Sequence, residues 1–264
     1  MPRVSVLLTC YNHLPYLKVA LEGVYAQTCK DFEIVALDDG STDGSRDFLR
    51  EEESKGRLKC VFNAKNLGTY ATLNVGLELA SSEFIAILND DDLWAPEKLE
   101  RQIAMMDSNA KIGLVHCGGW FIGGDGKKLA DPAPLGFEYP STPTGDVLGM
   151  EILYNHIITS SAVVRKKCFD ECGPFDPAFF GSGDWQMWLR ICQRFEVGYV
   201  DEPLCFYRVH QTNASHMKDK INEDDARIRE WITSWQSQFQ ERSDLQDAFA
   251  HNWACLGTER TWKG

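Results

Sequence analysis

No apolar run in this chain reaches the ~18 residues a bilayer-spanning helix needs, although 44% of its 264 residues are hydrophobic. Positive charge is also short: 27 Lys and Arg stand against 39 Asp and Glu, for a formal net charge of −12. A surface of that sign argues against a nucleic-acid backbone as partner. It leaves small anionic ligands open, because a metal ion can bridge two negative groups. The nine cysteines are scattered from Cys10 to Cys255; only Cys168 and Cys172 stand close, and no second pair or histidine set completes a zinc site. They read as reduced, mostly buried thiols of a cytosolic protein. Met1-Pro2-Arg3-Val4 carries no signal-peptide pattern and leads directly into a strand-like run. The motifs G-x-G-x-x-G, G-x-x-x-x-G-K-[ST] and G-x-S-x-G are all missing, which removes the signatures of dinucleotide binders, P-loop proteins and serine hydrolases. What remains is a cytoplasmic globular chain with apolar material for one substantial core.

The apolar runs that are present alternate with helical patterns. Val4–Thr9, Phe32–Leu37, Leu58–Phe62 and Phe84–Leu88 read as strands, three of them nearly continuous in apolar residues, as expected when both faces are covered. Between and after them, Leu17/Leu21/Val24, Leu73/Leu77/Ala80 and Leu99/Ile103/Met106 recur at helical spacing, with Pro96 expected in the first turn of the last helix. Such alternation predicts parallel βαβ units over residues 1–110. The second half is less regular. Gly118-Gly119 and Gly123-Gly124-Asp125-Gly126 read as turns flanking a short strand, residues 132–143 as loop, and Ser160–Arg165 as a strand. Trp185, Trp188, Leu189 and Cys192 predict a helix starting near Asp184, and the polar segment from 217 onward reads as helices carrying Trp231, Trp235, Trp253 and Trp262. Those tryptophans either pack the helices onto the rest, or dock on a partner or on a membrane from its cytoplasmic side.

In open α/β sheets ligands sit beyond the carboxyl ends of the strands. Two of those ends are acidic here. Asn89-Asp90-Asp91-Asp92 places three adjacent carboxylates after a buried strand, a mutually repulsive arrangement that a hard divalent cation relieves and that an N-cap alone does not require. Asp38-Asp39-Gly40-Ser41-Thr42-Asp43 ends another strand, where a carboxylate accepts hydrogen bonds from a ligand or from the turn itself. Asp184 follows Gly181-Ser182-Gly183 and fits either a general base or a helix cap. Arg208-Val209-His210 brings cationic or metal-binding groups near a diphosphate, or forms a solvated loop.

In this order the segments resemble family 2 glycosyltransferases of the GT-A fold, over about residues 3–213. The resemblance runs through Val4–Asn12, Ala26-Gln27-Thr28, Asp38–Asp43, Asn66-Leu67-Gly68, Leu73–Leu77, Asn89–Asp92, Gly183–Arg190 and Tyr207–His210 with Asn213 and Ser215. It implies an α/β, Rossmann-like, mostly parallel sheet flanked by helices. Residues 1–216 would form the catalytic domain, with a nucleotide-sugar half (1–110) and an acceptor half (111–216), and 217–264 a helical extension. The implied activity is inverting transfer of a sugar from a nucleotide diphosphate donor, a UDP-sugar by family precedent, to an acceptor hydroxyl in glycan or polysaccharide assembly. The acceptor would be a glycan, a lipid-linked sugar or a protein. Thr9, Tyr11, Asp38, Asp39, Asn66, Asn89, Asp90 and Arg208 would contact the donor, Asp90 through its ribose. Asp91, Asp92 and His210 would serve Mn²⁺ or Mg²⁺, and Asp184 would deprotonate the acceptor. Asn89 departs from the pattern, standing where many relatives carry the first acid of D-x-D. Two rivals stay open: a sugar nucleotidyltransferase, whose basic glycine-rich loop is missing from residues 9–14, and a non-catalytic nucleotide-sugar-binding module.

Overall fold

The computed structural model describes residues 1–262, with side chains through residue 256; Trp262 therefore lies outside the described side chains, and residues 263–264 outside the described residues. The first four strands are β1 (Val4–Cys10), β2 (Phe32–Asp38), β3 (Lys59–Phe62) and β4 (Phe84–Asn89), separated by helices α1 (Leu14–Tyr25), α2 (Ser45–Ser54) and α3 (Thr69–Leu79). All pairings among them are parallel, in the order β3-β2-β1-β4. Residues along β1 alternate between two cores. Leu7 joins Val35, Leu37, Ile85 and Ile87 on one face, and Val6 and Leu8 join Ile34, Ala36, Ala86 and Leu88 on the other. Both faces are thus covered, which is why these strands are continuous in apolar residues.

The sheet continues through a mixed half: β5 (Leu93–Trp94), α4 (Lys98–Ser108), β6 (Ile112–Ile122), α5 (Leu148–Leu153), β7 (Val163–Arg165), α6 (Lys166–Cys172), α7 (Gly183–Cys192) and β8 (Glu196–Arg208). The complete order is β3-β2-β1-β4-β7-β6-β8-β5, with β7 antiparallel to both of its neighbours. Three readings are corrected here. Gly118-Gly119 is not a turn but the middle of the eleven-residue β6, where the pairing with β8 shifts register; a Cβ on Gly119 would lie 1.8 Å from the Cys205 carbonyl oxygen. Arg208 is not in a loop but closes the thirteen-residue β8. Pro96 precedes α4, its carbonyl accepting the Thr28 N–H at 2.8 Å.

The C-terminal segment folds as α8 (Lys218–Trp235) and α9 (Gln246–Trp262). Ile228, Ile232, Trp235 and Phe249 enter the same core as α3 and α7, while Trp253 is exposed. No helix among the described residues is long and apolar enough to cross a membrane.

Candidate active site

Parallel register sets the site. Thr9 pairs with Leu37 and with Asn89, and Cys10 pairs with Asp38, so the segments leaving β1, β2 and β4 emerge side by side at one edge of the sheet. The loop after β4 returns into β5, which hydrogen-bonds to β8, and this brings the end of β8 and residues 209–213 over the same edge. Each acidic residue there has its own environment.

Asp38 is fully buried; it accepts the N–H groups of Gly40 and Ser41 and pairs with Arg46 Nε at 2.9 Å. Its carboxylate thus holds the turn. Asp39 braces the next loop, accepting Leu67 N (2.8 Å), Gly68 N (2.9 Å) and Asn63 Nδ2 (2.9 Å). Gly40, at φ 84°, makes that approach feasible: a Cβ would meet the Lys65 carbonyl carbon at 2.8 Å. Asn66 is exposed on this loop, and Tyr11 is exposed at the end of β1. Thr9 Oγ1 donates to Asn89 Oδ1 at 3.0 Å, joining the ends of β1 and β4.

The three consecutive aspartates diverge. Asp90 accepts the Tyr11 N–H at 2.9 Å on one oxygen and meets His13 Nδ1 at 3.0 Å on the other, with burial raising its pKa. Asp91 is partly exposed, with Oδ2 3.0 Å from His210 Nε2 and 3.3 Å from Asn213 Nδ2. Asp92 is buried and accepts the Arg208 N–H at 2.9 Å; burial lifts its pKa well above the usual carboxylate range. It lies outside the cluster of His13, Asp91 and His210, whose ligand atoms fall within 4.8 Å of one another. Arg208 is engaged within the protein. It is 2% exposed, donating to Asp91 O (2.7 Å), Gly123 O (2.9 Å) and Gly124 O (3.2 Å), and so fastens the acidic loop to the turn after β6.

Asp184 occupies the second turn position of α7 rather than its cap, which is Ser182. It lines a cavity of about 840 Å³ that reaches Asn89 at the end of β4. Its carboxylate accepts Thr159 Oγ1 (2.5 Å), Trp185 N (2.7 Å), Asn155 Nδ2 (3.3 Å) and Tyr70 OH (3.4 Å). Burial outweighs these bonds and pushes its pKa up to about 6. Trp185 forms part of the cavity wall, whereas Trp94 is buried with its indole N–H on Ser160 O. One face of α8 supplies another wall through Ile221, Asp225 and Arg229. The same helix fixes the segment before Asp184: Asp224 accepts the N–H groups of Phe180 (2.7 Å), Gly181 (2.7 Å) and Ser182 (3.1 Å).

Sequence reasoning missed His13, Thr159 and Asp224. For His13 the available signal was its place three residues beyond a strand end at the ligand edge. For Asp224 it was an acid interrupting the stripe Ile221, Ile228, Ile232, Trp235.

A parallel half with acidic strand ends, continued by a mixed half with a buried carboxylate at its cavity, is the plan of GT-A glycosyltransferases. Solved structures of this plan include Staphylococcus aureus TarS 1–349 in complex with UDP-GlcNAc (TM-score 0.71, 19% identity, 96% of this chain and 70% of that one). Another is the mannosyltransferase PcManGT of Pyrobaculum calidifontis with GDP-Man and Mn²⁺ (TM-score 0.69, 18% identity, 98% and 75%). The chain belongs to glycosyl transferase family 2, whose model matches residues 5–173. An uncharacterized glycosyltransferase of Nostoc sp. is 30% identical over 81% of this chain and 67% of its own length. One of Methanocaldococcus jannaschii is 28% identical over 79% and 71%.

Proposed function

We propose that this glycosyltransferase moves a sugar from a nucleotide diphosphate donor, a UDP-sugar, to an acceptor hydroxyl with inversion of configuration, and that it needs Mn²⁺ or Mg²⁺. The observation that carries the reading is Asp184: a buried carboxylate with its pKa near 6, facing a cavity large enough for an acceptor and open to the donor edge at Asn89. A base tuned to that range is mostly ionised at neutral pH yet holds a proton well enough to assist its removal from a hydroxyl.

The donor lies along the edge formed by Thr9, Tyr11, Asp39, Asn66 and Asn89, its sugar directed toward the cavity. Asp184 takes the proton from the acceptor oxygen. That oxygen forms the new bond to the anomeric carbon on the face opposite the departing diphosphate, which leaves with the electron pair of the broken bond. Thr159 and Trp185 N–H, hydrogen-bonded to Asp184, fix the carboxylate for this approach. The donor set of Asp91 and His210, both partly accessible and 3.0 Å apart, fits a divalent cation. Asp91 and His210 would hold the cation, which would supply positive charge for the leaving diphosphate.

A panel of UDP-, GDP- and TDP-sugars with candidate glycan acceptors tests the reading, followed by NMR of the product's anomeric configuration. Metal-dependent release of one nucleoside diphosphate with an inverted product is expected. A retained configuration, or transfer undiminished by EDTA, would refute it.

A further inference from the structure

Asp90 was expected to reach the ribose, yet both of its oxygens are engaged within the protein, by Tyr11 N and by His13 Nδ1. A carboxylate gripping one nitrogen of an imidazole sets both the tautomer and the rotation of the ring, and leaves the other nitrogen with an outward lone pair. His13, Asp91 and His210 each offer a ligand atom within 4.8 Å of the others. The His13 and His210 rings are 5.0 Å apart and nearly perpendicular at 81°. The Thr212 hydroxyl ties them together, 3.2 Å from His13 Nε2 and 2.9 Å from His210 Nδ1. Asn89, which replaces the first acid of D-x-D, is a neutral amide already bonded to Thr9, so the β4 loop offers only Asp91 as an accessible carboxylate.

We propose that His13, oriented by Asp90, is a third protein ligand to the cation, so that the ion is held by protein groups before any nucleotide arrives. This rests on the cation site proposed above at Asp91 and His210. Two imidazoles and one carboxylate would also favour a first-row transition ion over Mg²⁺, which demands oxygen ligands.

Mn²⁺ titration of the full chain, followed by electron paramagnetic resonance without nucleotide and then with UDP, tests this. One Mn²⁺ per chain without nucleotide is expected, with pulsed spectra showing coupling to two imidazole nitrogens and displacement by Mg²⁺ only in large excess. His13→Gln should keep its melting temperature within a few degrees, lose one nitrogen coupling and weaken Mn²⁺ binding at least tenfold. Asp90→Asn, altered one shell out, should weaken it roughly 10–100-fold. Mn²⁺ uptake that requires UDP, or nitrogen coupling unchanged in His13→Gln, overturns the His13 assignment and leaves the cation site standing. No Mn²⁺ uptake even with UDP or GDP overturns that site as well.

Discussion

Replacing Asp184 by asparagine should make the protein more stable while disabling it. Burial raises the Asp184 pKa from the ordinary 3.8 to about 6, so the folded state holds this proton more tightly than the unfolded chain does. As pH rises through that window the unfolded chain releases the proton first, and folded stability falls. From 3.8 to about 6 is roughly two orders of magnitude in proton affinity, which at about 1.4 kcal/mol per tenfold corresponds to a penalty of about 3 kcal/mol above pH 6. Asparagine removes that penalty. Its carbonyl, in the place of Oδ1, still accepts from Trp185 and Asn155, but its amide nitrogen replaces the oxygen that accepted the Thr159 hydroxyl, at a cost of about 1 kcal/mol. The net expectation is a gain of about 2 kcal/mol at pH 8 that disappears near pH 4, measured by denaturant unfolding across pH. In parallel, transfer should fall by about 10²–10⁴-fold, and the wild-type rate should drop on the acid side with an apparent pKa near 6, a limb the variant lacks. An Asp184→Asn protein that is less stable than wild type at pH 8, or whose stability difference does not change with pH, would refute the burial argument.

Three further outcomes are expected. Asp91→Ala should abolish the Mn²⁺-dependent part of nucleotide affinity in calorimetry, and equal affinity with and without EDTA in the wild type would contradict the cation site. Asp224→Ala leaves three backbone N–H groups before Asp184 without their acceptor, so it should destabilise by about 3 kcal/mol or more and lower kcat more than it raises KM; a stable, fully active variant would refute that anchoring. Lys98 is completely buried over the Trp94 ring at 4.1 Å, with no hydrogen-bond partner for Nζ among the described residues and its pKa lowered by burial. Lys98→Met should therefore raise stability by about 1–3 kcal/mol at pH 7 in thermal melts. The advantage should shrink as pH climbs toward 10.5, because the unfolded wild type then releases the proton that the folded state already binds weakly.

The first half of this fold was legible because its strands are buried on both faces, so that Val4–Cys10 and Phe84–Asn89 stand out as nearly continuous apolar runs. Strand β8 did not stand out, because Asp201-Glu202-Pro203 interrupts it. Those three residues are exposed opposite the register shift of β6, and nothing local announces that the strand resumes at Leu204. Gly118-Gly119 has the composition of a turn; only the carbonyl of Cys205, far along the chain, explains why side chains are excluded there. In the site, composition located the acidic edge but could not separate neighbours. Asp38 from Asp39, and Asp90 from Asp91 and Asp92, differ in which way each carboxylate turns, and that depends on Arg46, on Tyr11 and His13, and on the end of β8. His13 escaped notice because its partners are Asp90 and Thr212, supplied from distant segments.

The clasp between Asp224 and residues 180–182 has a consequence for the birth of the enzyme. A ribosome delivers the chain from its amino end, and the donor-binding strands have all their sheet partners in hand once β7 has emerged. The segment that aims Asp184 does not, since its anchor arrives about forty residues later. A nascent chain can thus complete the strands of its acidic edge early, while the backbone before Asp184 gains its anchor only when α8 docks.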